Sequence, residues 1–166
     1  KIEEIFKNTN YLIYKKKNYF PKFEELVKIK EKLDEYNPDL IIAIGGGSVI
    51  DYAKISAVIN FEKNLKSKII NNSLNLSKNY KLLAIPTTAG SGAEVTENAV
   101  IYIDNIKYSV EGPIVKPDDY LLIPDFISLA SKKIKASAGF DAIAQSMESI
   151  MSLKSNSTSL KHATDS

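Results

Sequence analysis

Residues 40–48 read Leu-Ile-Ile-Ala-Ile-Gly-Gly-Gly-Ser, an apolar run passing directly into three glycines and a serine. The branched run Leu40–Ile44 suits a strand buried on both faces. Ser48 is a good N-cap, and Asp51 follows at capping-box spacing, so a helix is expected from Ser48 to Ile59. Neither element needs three glycines. Bare backbone at a strand-to-helix junction lets another group come close to free N–H groups at the positive end of a helix. The group that suits such a place is an anion such as phosphate. The plainer reading is a tight strand-to-helix turn with a good cap. The segment is neither G-x-G-x-x-G, since Ile50 stands at the last position, nor a Walker loop, since no Gly-Lys-Ser/Thr follows.

A second strand end has the same character. Leu82–Ile85 leads into Pro86-Thr87-Thr88-Ala89-Gly90-Ser91-Gly92. Thr87, Thr88 and Ser91 offer hydroxyls, and Gly90 and Gly92 allow sharp turns. In an open parallel sheet, ligands bind beyond the carboxyl ends of the strands, so the two segments are expected to converge on one crevice.

The elements between them support such a sheet. Tyr11–Tyr14 reads as a strand and Pro21 as a helix start, with Phe23, Leu26, Val27, Ile29 and Leu33 on one face and Asn37-Pro38 ending the helix. Residues 62–80 read as loop with at most a short ordered piece. Val100–Ile103 and Lys107–Val110 flank Asp104-Asn105-Ile106 as a hairpin, and Tyr120–Ile123 reads as the last strand. From Pro124 the pattern is helical only. On the helix expected over 138–152, Phe140, Ile143, Ala144, Met147, Ile150 and Met151 form an apolar stripe, with Asp141, Gln145, Glu148 and Ser152 opposite. Asp141 and Gln145, four apart, can address one ion, although a solvated polar face explains them equally well.

Composition removes other classes. Hydrophobic residues make up 44% of the 166, enough for a packed core rather than a disordered chain. A formal net charge of +2 is too small to imply a nucleic-acid partner, and the run Lys15–Lys17 reads as a solvated loop. No apolar run approaches the ~20 residues of a membrane span. The absence of cysteine excludes disulfides and thiolate ligands and fits a cytoplasmic protein.

Three segments carry a family resemblance. Gly45-Gly46-Gly47-Ser48 with Asp51 and Lys54, then Pro86–Thr96, then Gly139-Phe140-Asp141-Ala142-Ile143-Ala144-Gln145 resemble, in order, the signatures of iron-dependent (group III) alcohol dehydrogenases. The resemblance implies an α/β fold: a parallel Rossmann-like nucleotide-binding domain over 1–124, then a truncated start of a helical metal and substrate domain over 125–166. It also implies an excerpt of a longer polypeptide. The implied activity is hydride transfer between NAD or NADP and an alcohol or aldehyde, by a protein that is a homodimer at full length. A dehydroquinate-synthase-like cyclase or lyase, or a nucleotide-binding fragment without catalysis, remains open.

The implied cofactor residues are Gly45, Gly46, Gly47 and Ser48 at the pyrophosphate, Asp51 toward the nicotinamide, Thr87, Thr88 and Ser91 on the nucleotide side, and Lys107 at a ribose hydroxyl. Asp141 and Gln145 are the implied ligands of an iron or zinc ion. Gln145 stands where the family has histidine, and a carboxamide is the weaker ligand for such ions. Lys15–Lys17 would tolerate the 2′-phosphate of NADP.

Overall fold

The computed structural model describes residues 6–166. Leu40–Gly45 forms strand β1, parallel to β2 (Lys81–Pro86) in the register Leu40↔Lys81 to Gly45↔Pro86. A two-residue strand β5, Asp119–Tyr120, continues the parallel sheet on the far side of β2. The expected strand Tyr120–Ile123 is thus shorter and earlier. After Leu121 N–H donates to Ala84 O at 2.9 Å, Ile123 caps a helix that begins at Pro124, so the ladder stops.

Helix α1 (Phe23–Tyr36) precedes β1 and ends at Asn37, whose left-handed backbone (φ 49°) returns its N–H to Leu33 O at 2.7 Å. Helix α2 (Gly47–Val58) follows β1, and Ile50, Ala53, Ile55, Ala57 and Val58 are all buried, as their spacing predicts. A short helix α3 (Leu65–Ile70) is the ordered piece within 62–80. The hairpin pairs β3 (Asn98–Ile103) with β4 (Ile106–Glu111) antiparallel. Its turn is Asp104-Asn105 alone, with φ 51° and 64°, the backbone of a two-residue primed turn, and Ile106 already belongs to β4.

The main core joins Leu26, Tyr52, Ile55, Val58, Ile59 and Ile69 to the hairpin's Ala99, Ile101, Ile103 and Val110. Helix α2 lies between that core and a smaller one under the sheet, where Ile50 and Ala53 meet Ala43, Leu82, Ala84 and Ala93. A helix packed from two sides has little freedom to shift, which makes its N-terminus a firm platform.

Tyr11–Tyr14 is not a strand: the segment enters no ladder, and Tyr11, Leu12 and Ile13 are exposed. An extended apolar stretch becomes a strand only when its N–H and C=O groups find a partner. The residues just after it are pinned elsewhere, by the Glu25 carboxylate.

From Pro124 onward the structure is helical: α4 (Pro124–Ser128), α5 (Lys132–Met151) and α6 (Ser157–Asp165). Ser131 caps α5 and a capping box at Asn156 starts α6, but none of the three helices buries a side chain. Phe140, Ile143, Met147, Ile150 and Met151 stand exposed. Among the described residues no helix is long and apolar enough to cross a membrane.

Candidate cofactor site

The turn between β1 and α2 begins at Gly45, whose carbonyl accepts the Thr87 N–H at 3.0 Å, so the two strand ends are stitched together. The cap of helix α2 lies two residues earlier than the serine pattern indicates. Gly46 is the N-cap, in extended backbone with no side-chain cap, and Ser48 lies inside the first turn. The expected Ser48–Asp51 capping box is therefore absent. The N–H groups of Gly47 and Ser48 have no intrahelical acceptor.

Gly46 and Gly47 sit in tight quarters rather than at unusual φ. A Cβ on Gly46 would lie 3.3 Å from Thr88 Oγ1, and one on Gly47 would lie 3.0 Å from Ser91 Oγ. The loop after β2 thus presses Thr88 and Ser91 directly against the turn after β1. The structure brings together Gly45, Gly46, Gly47, Ser48, Thr87, Thr88 and Ser91.

Asp51 follows one turn into α2 and is largely buried. Burial pushes its carboxyl up to about 6, against the pull of Lys54, the Val100 N–H, Lys107 and Lys16. Lys107 is exposed on β4, and its charge bears on the Asp51 carboxyl.

Two contributors are absent from a motif reading, and a third is present in it without its role. Lys16 donates to Ser48 Oγ and, at 2.9 Å, to Tyr19 O. Burial pulls its ammonium down, opposed by Glu25 and Asp51. Its run is therefore not a wholly solvated loop: one of the three lysines stands at the helix start. Glu25 holds that run in place by accepting the N–H groups of Lys17 at 2.6 Å and Asn18 at 3.0 Å and the Tyr52 hydroxyl at 3.1 Å. Burial pushes the Glu25 carboxyl up, but these donors outweigh it and hold it below its usual range.

The third is Lys54, a motif residue whose role the motif does not reveal. It is fully buried on α2, and its ammonium donates to Ala93 O at 2.8 Å, Thr96 Oγ1 at 3.0 Å and Asn98 O at 2.7 Å. Burial draws it down to about 8, while Asp51 and Glu94 pull the other way. A lysine inside an otherwise apolar helical run was the available signal, since buried lysines are rare unless paired.

The helical segment touches the loop after β2 at Gly90. A Cβ on Gly90 would lie 2.2 Å from Ala138 O, so the loop and the α5 backbone are in immediate contact. Gln145 Nε2 donates to Gly90 O at 3.3 Å and to Asp141 Oδ2 at 3.1 Å. Asp141 and Gln145 do share one face, but both are exposed, and the carboxamide N–H already engages the carboxylate. Among the described residues no three of His, Cys, Asp and Glu gather as metal ligands, and His162 lies on α6. One carboxylate and one carboxamide do not by themselves fit an iron ion.

Two open hollows, of about 390 and 140 Å³, lie along the hairpin instead, beside Glu97 and Glu111 and beside Lys22 and Tyr102. They are shallow and away from the glycine turn. Gly45–Ser48, Thr87, Thr88 and Ser91 are all half-buried rather than sealed from solvent.

A parallel α/β sheet with a glycine turn before a helix, and a hydroxyl-rich loop against it, defines a Rossmann-like nucleotide-binding unit. A family model described as iron-containing alcohol dehydrogenase matches residues 1–124, and the chain belongs to that family. An alcohol dehydrogenase of Thermococcus barophilus is 32% identical over 135 residues, covering 77% of this chain and 36% of that protein. An NADPH-dependent butanol dehydrogenase of Clostridium saccharobutylicum is also 32% identical, over 133 residues, 77% of this chain and 34% of that one. The crystal structure of an iron-containing alcohol dehydrogenase from Thermotoga maritima superimposes with a TM-score of 0.83 at 26% identity, covering 98% of this chain and 45% of that one. The chain spans about a third of the length of the curated relatives it matches.

Proposed function

We propose that this chain is the dinucleotide-binding part of an NAD(P)-dependent alcohol dehydrogenase or aldehyde reductase. The observation that carries the reading is the turn Gly45–Ser48, where two glycines and two unpaired helix N–H groups face a second loop's hydroxyls. Residues 1–124 are the binding unit, and 125–166 begin a helical part. The helices after Pro124 bury no side chain, as expected of elements that belong to a separate packing unit. Bound there, NAD or NADP supplies the hydride donor or acceptor for an alcohol or carbonyl substrate.

This chain's own residues bind and orient. The close approach of Gly46 and Gly47 to Thr88 and Ser91 sets two hydroxyls beside the free N–H groups at the first turn of α2, a place suited to a pyrophosphate, and Ser48 adds a hydroxyl donor. Thr87, Thr88 and Ser91 close the nucleotide side. Lys16 and Lys107 add positive charge on either flank, complementary to a dianionic or more highly charged dinucleotide. Asp51, which accepts the Val100 N–H and feels the charge of Lys54, accepts a hydrogen bond from the nicotinamide side. Asp141 and Gln145 form one corner of the substrate region.

The test is Gly46→Val in the full-length protein. A Cβ there already lies 3.3 Å from Thr88 Oγ1, so two further methyl groups must occupy the groove. Calorimetric titration with NADH and with NADPH should show binding to the wild type and none to the variant, with thermal melting confirming a folded protein. Undiminished affinity in the variant removes the turn from the argument. NADH oxidation against a panel of aldehydes then separates a reductase from a passive nucleotide binder.

A further inference from the structure

The Lys54 ammonium has three N–H donors and meets three oxygens, Ala93 O, Thr96 Oγ1 and Asn98 O, all within 3.0 Å. Its donors are fully used, and its side chain has no access to solvent. It therefore does not touch a bound ligand. What it does is join helix α2 to the segment 93–98, which continues the loop after β2. The linkage goes further: the Ala93 N–H donates to Ser91 Oγ at 3.4 Å, and Ser91 stands against Gly47 at the other end of α2. Lys54, Ala93, Ser91 and Gly47 thus close a ring that encloses one wall of the groove.

We propose that Lys54 is a positioning residue that sets the width of the dinucleotide groove, clamping the second loop to α2 and holding Ser91 and Thr88 at their distance from Gly46–Ser48. The proposal rests on the reading of that groove as the cofactor site. Its chemistry gives it a signature. A neutral amine has two N–H groups and a lone pair, so on deprotonation one of the three oxygens loses its donor and meets the lone pair instead. The charged groups facing Lys54 are Asp51 from its own helix and Glu94 from the loop, with Lys107 of β4 and Lys16 bearing on Asp51 from beyond. Burial outweighs the two carboxylates and brings the transition to about pH 8. Asp51 titrates at about 6, well separated, so the alkaline limb reports Lys54.

The experiment measures NADH affinity of the full-length protein from about pH 7 to about pH 9.5, bracketing the transition, for the wild type, Lys54→Met, Thr96→Val and Lys16→Met. Wild-type affinity should fall roughly tenfold across that range, the equivalent of one hydrogen bond to a charged group. Lys54→Met should bind weakly at every pH with a flat profile. Thr96→Val, which removes one acceptor near the surface, should lose affinity by a few fold at pH 7. Lys16→Met should keep the alkaline limb, which assigns the limb to Lys54 rather than to the other lysine near Asp51. A folded Lys54→Met with wild-type affinity and an unchanged alkaline limb overturns the clamp. If Lys54→Met does not fold, unchanged affinity in Thr96→Val together with a flat wild-type profile overturns it equally. Should the wild type bind no dinucleotide, the functional reading fails by itself. Hydrogen exchange of amides 91–98 then tests the clamp alone: after correction for intrinsic rates, protection should drop above pH 8, and constant protection refutes it.

Discussion

Gly90→Ala asks which of two touching elements yields. Gly90 does not adopt a left-handed backbone, so alanine there is excluded by space and not by φ. Its Cβ would sit 2.2 Å from Ala138 O on α5. Carbon and oxygen rest at about 3.3 Å in the closest ordinary contacts. Loop and helix must therefore part by roughly 1 Å. In a rigid core such overpacking costs about 1–3 kcal/mol.

Here the two sides are held very differently. The loop is tied by Thr87 to Gly45 and by Lys54 to Ala93, whereas α5 buries no side chain and reaches the loop through one long hydrogen bond from Gln145. The helix gives way, and the strain is relieved cheaply. The expected loss of stability is under about 1 kcal/mol, a fall in Tm of less than about 3 °C for a chain of this size. NADH affinity should stay within about twofold, since the groove side does not move. Asp141 and Gln145, at the proposed substrate region, shift with α5, and a misplacement of about 1 Å beside reacting atoms costs up to roughly 100-fold in rate. Calorimetry, melting and aldehyde-reductase assays on the full-length protein separate these effects. A tenfold loss of NADH affinity with turnover preserved would show that the loop yields instead, and would refute this ordering of rigidities.

Three further outcomes follow from the same geometry. The Asp51 carboxyl is raised from 3.8 to about 6, so its contribution to stability is fully present below pH 3.8 and is lost as pH rises through 6, by about 3 kcal/mol; Asp51→Asn should abolish that slope in denaturant titrations between about pH 4 and about pH 6, and an unchanged slope would assign it to another group. Gln145→His in the full-length protein should raise bound iron or zinc, because imidazole is the better ligand; elemental analysis showing a fully loaded, chelator-resistant wild type would show instead that the carboxamide ligates well. The 166-residue chain should self-associate through Phe140, Met147 and Met151, exposed on α5; Phe140→Glu with Met151→Glu should shift sedimentation toward monomer, and a monomeric wild type would contradict this.

How much of this was open to reading depends on how far each partner lies along the chain. The run Leu40–Ile44 and the periodicity of Phe23–Leu33 are local signals, and each became the element it indicated, although β1 buries only Ala43 where both faces were expected to be covered, and the hairpin's expected three-residue turn gave up Ile106 to β4. The start of α2 was misread because Ser48 has the chemistry of a cap, yet the Gly45–Thr87 bond and extended backbone at Gly46 begin the helix earlier. Tyr11–Tyr14 is apolar and rich in strand-forming residues, but strand formation is a property of a pair, and no local pattern supplies the second member. The same holds for Glu25, whose partner Tyr52 is 27 residues away, and for Lys54, whose acceptors lie 39 to 44 residues on.

Such residues are nonetheless detectable by contradiction. Lys54 sits among Ile50, Ala53, Ile55, Ala57 and Val58, on a helix apolar nearly all round, where an uncompensated ammonium would cost several kcal/mol. The chain can tolerate it only if oxygens from a distant segment converge on it. A charge that breaks an apolar run is therefore evidence of a long-range tie. Directly after a glycine turn, the segment it ties is the other wall of the groove.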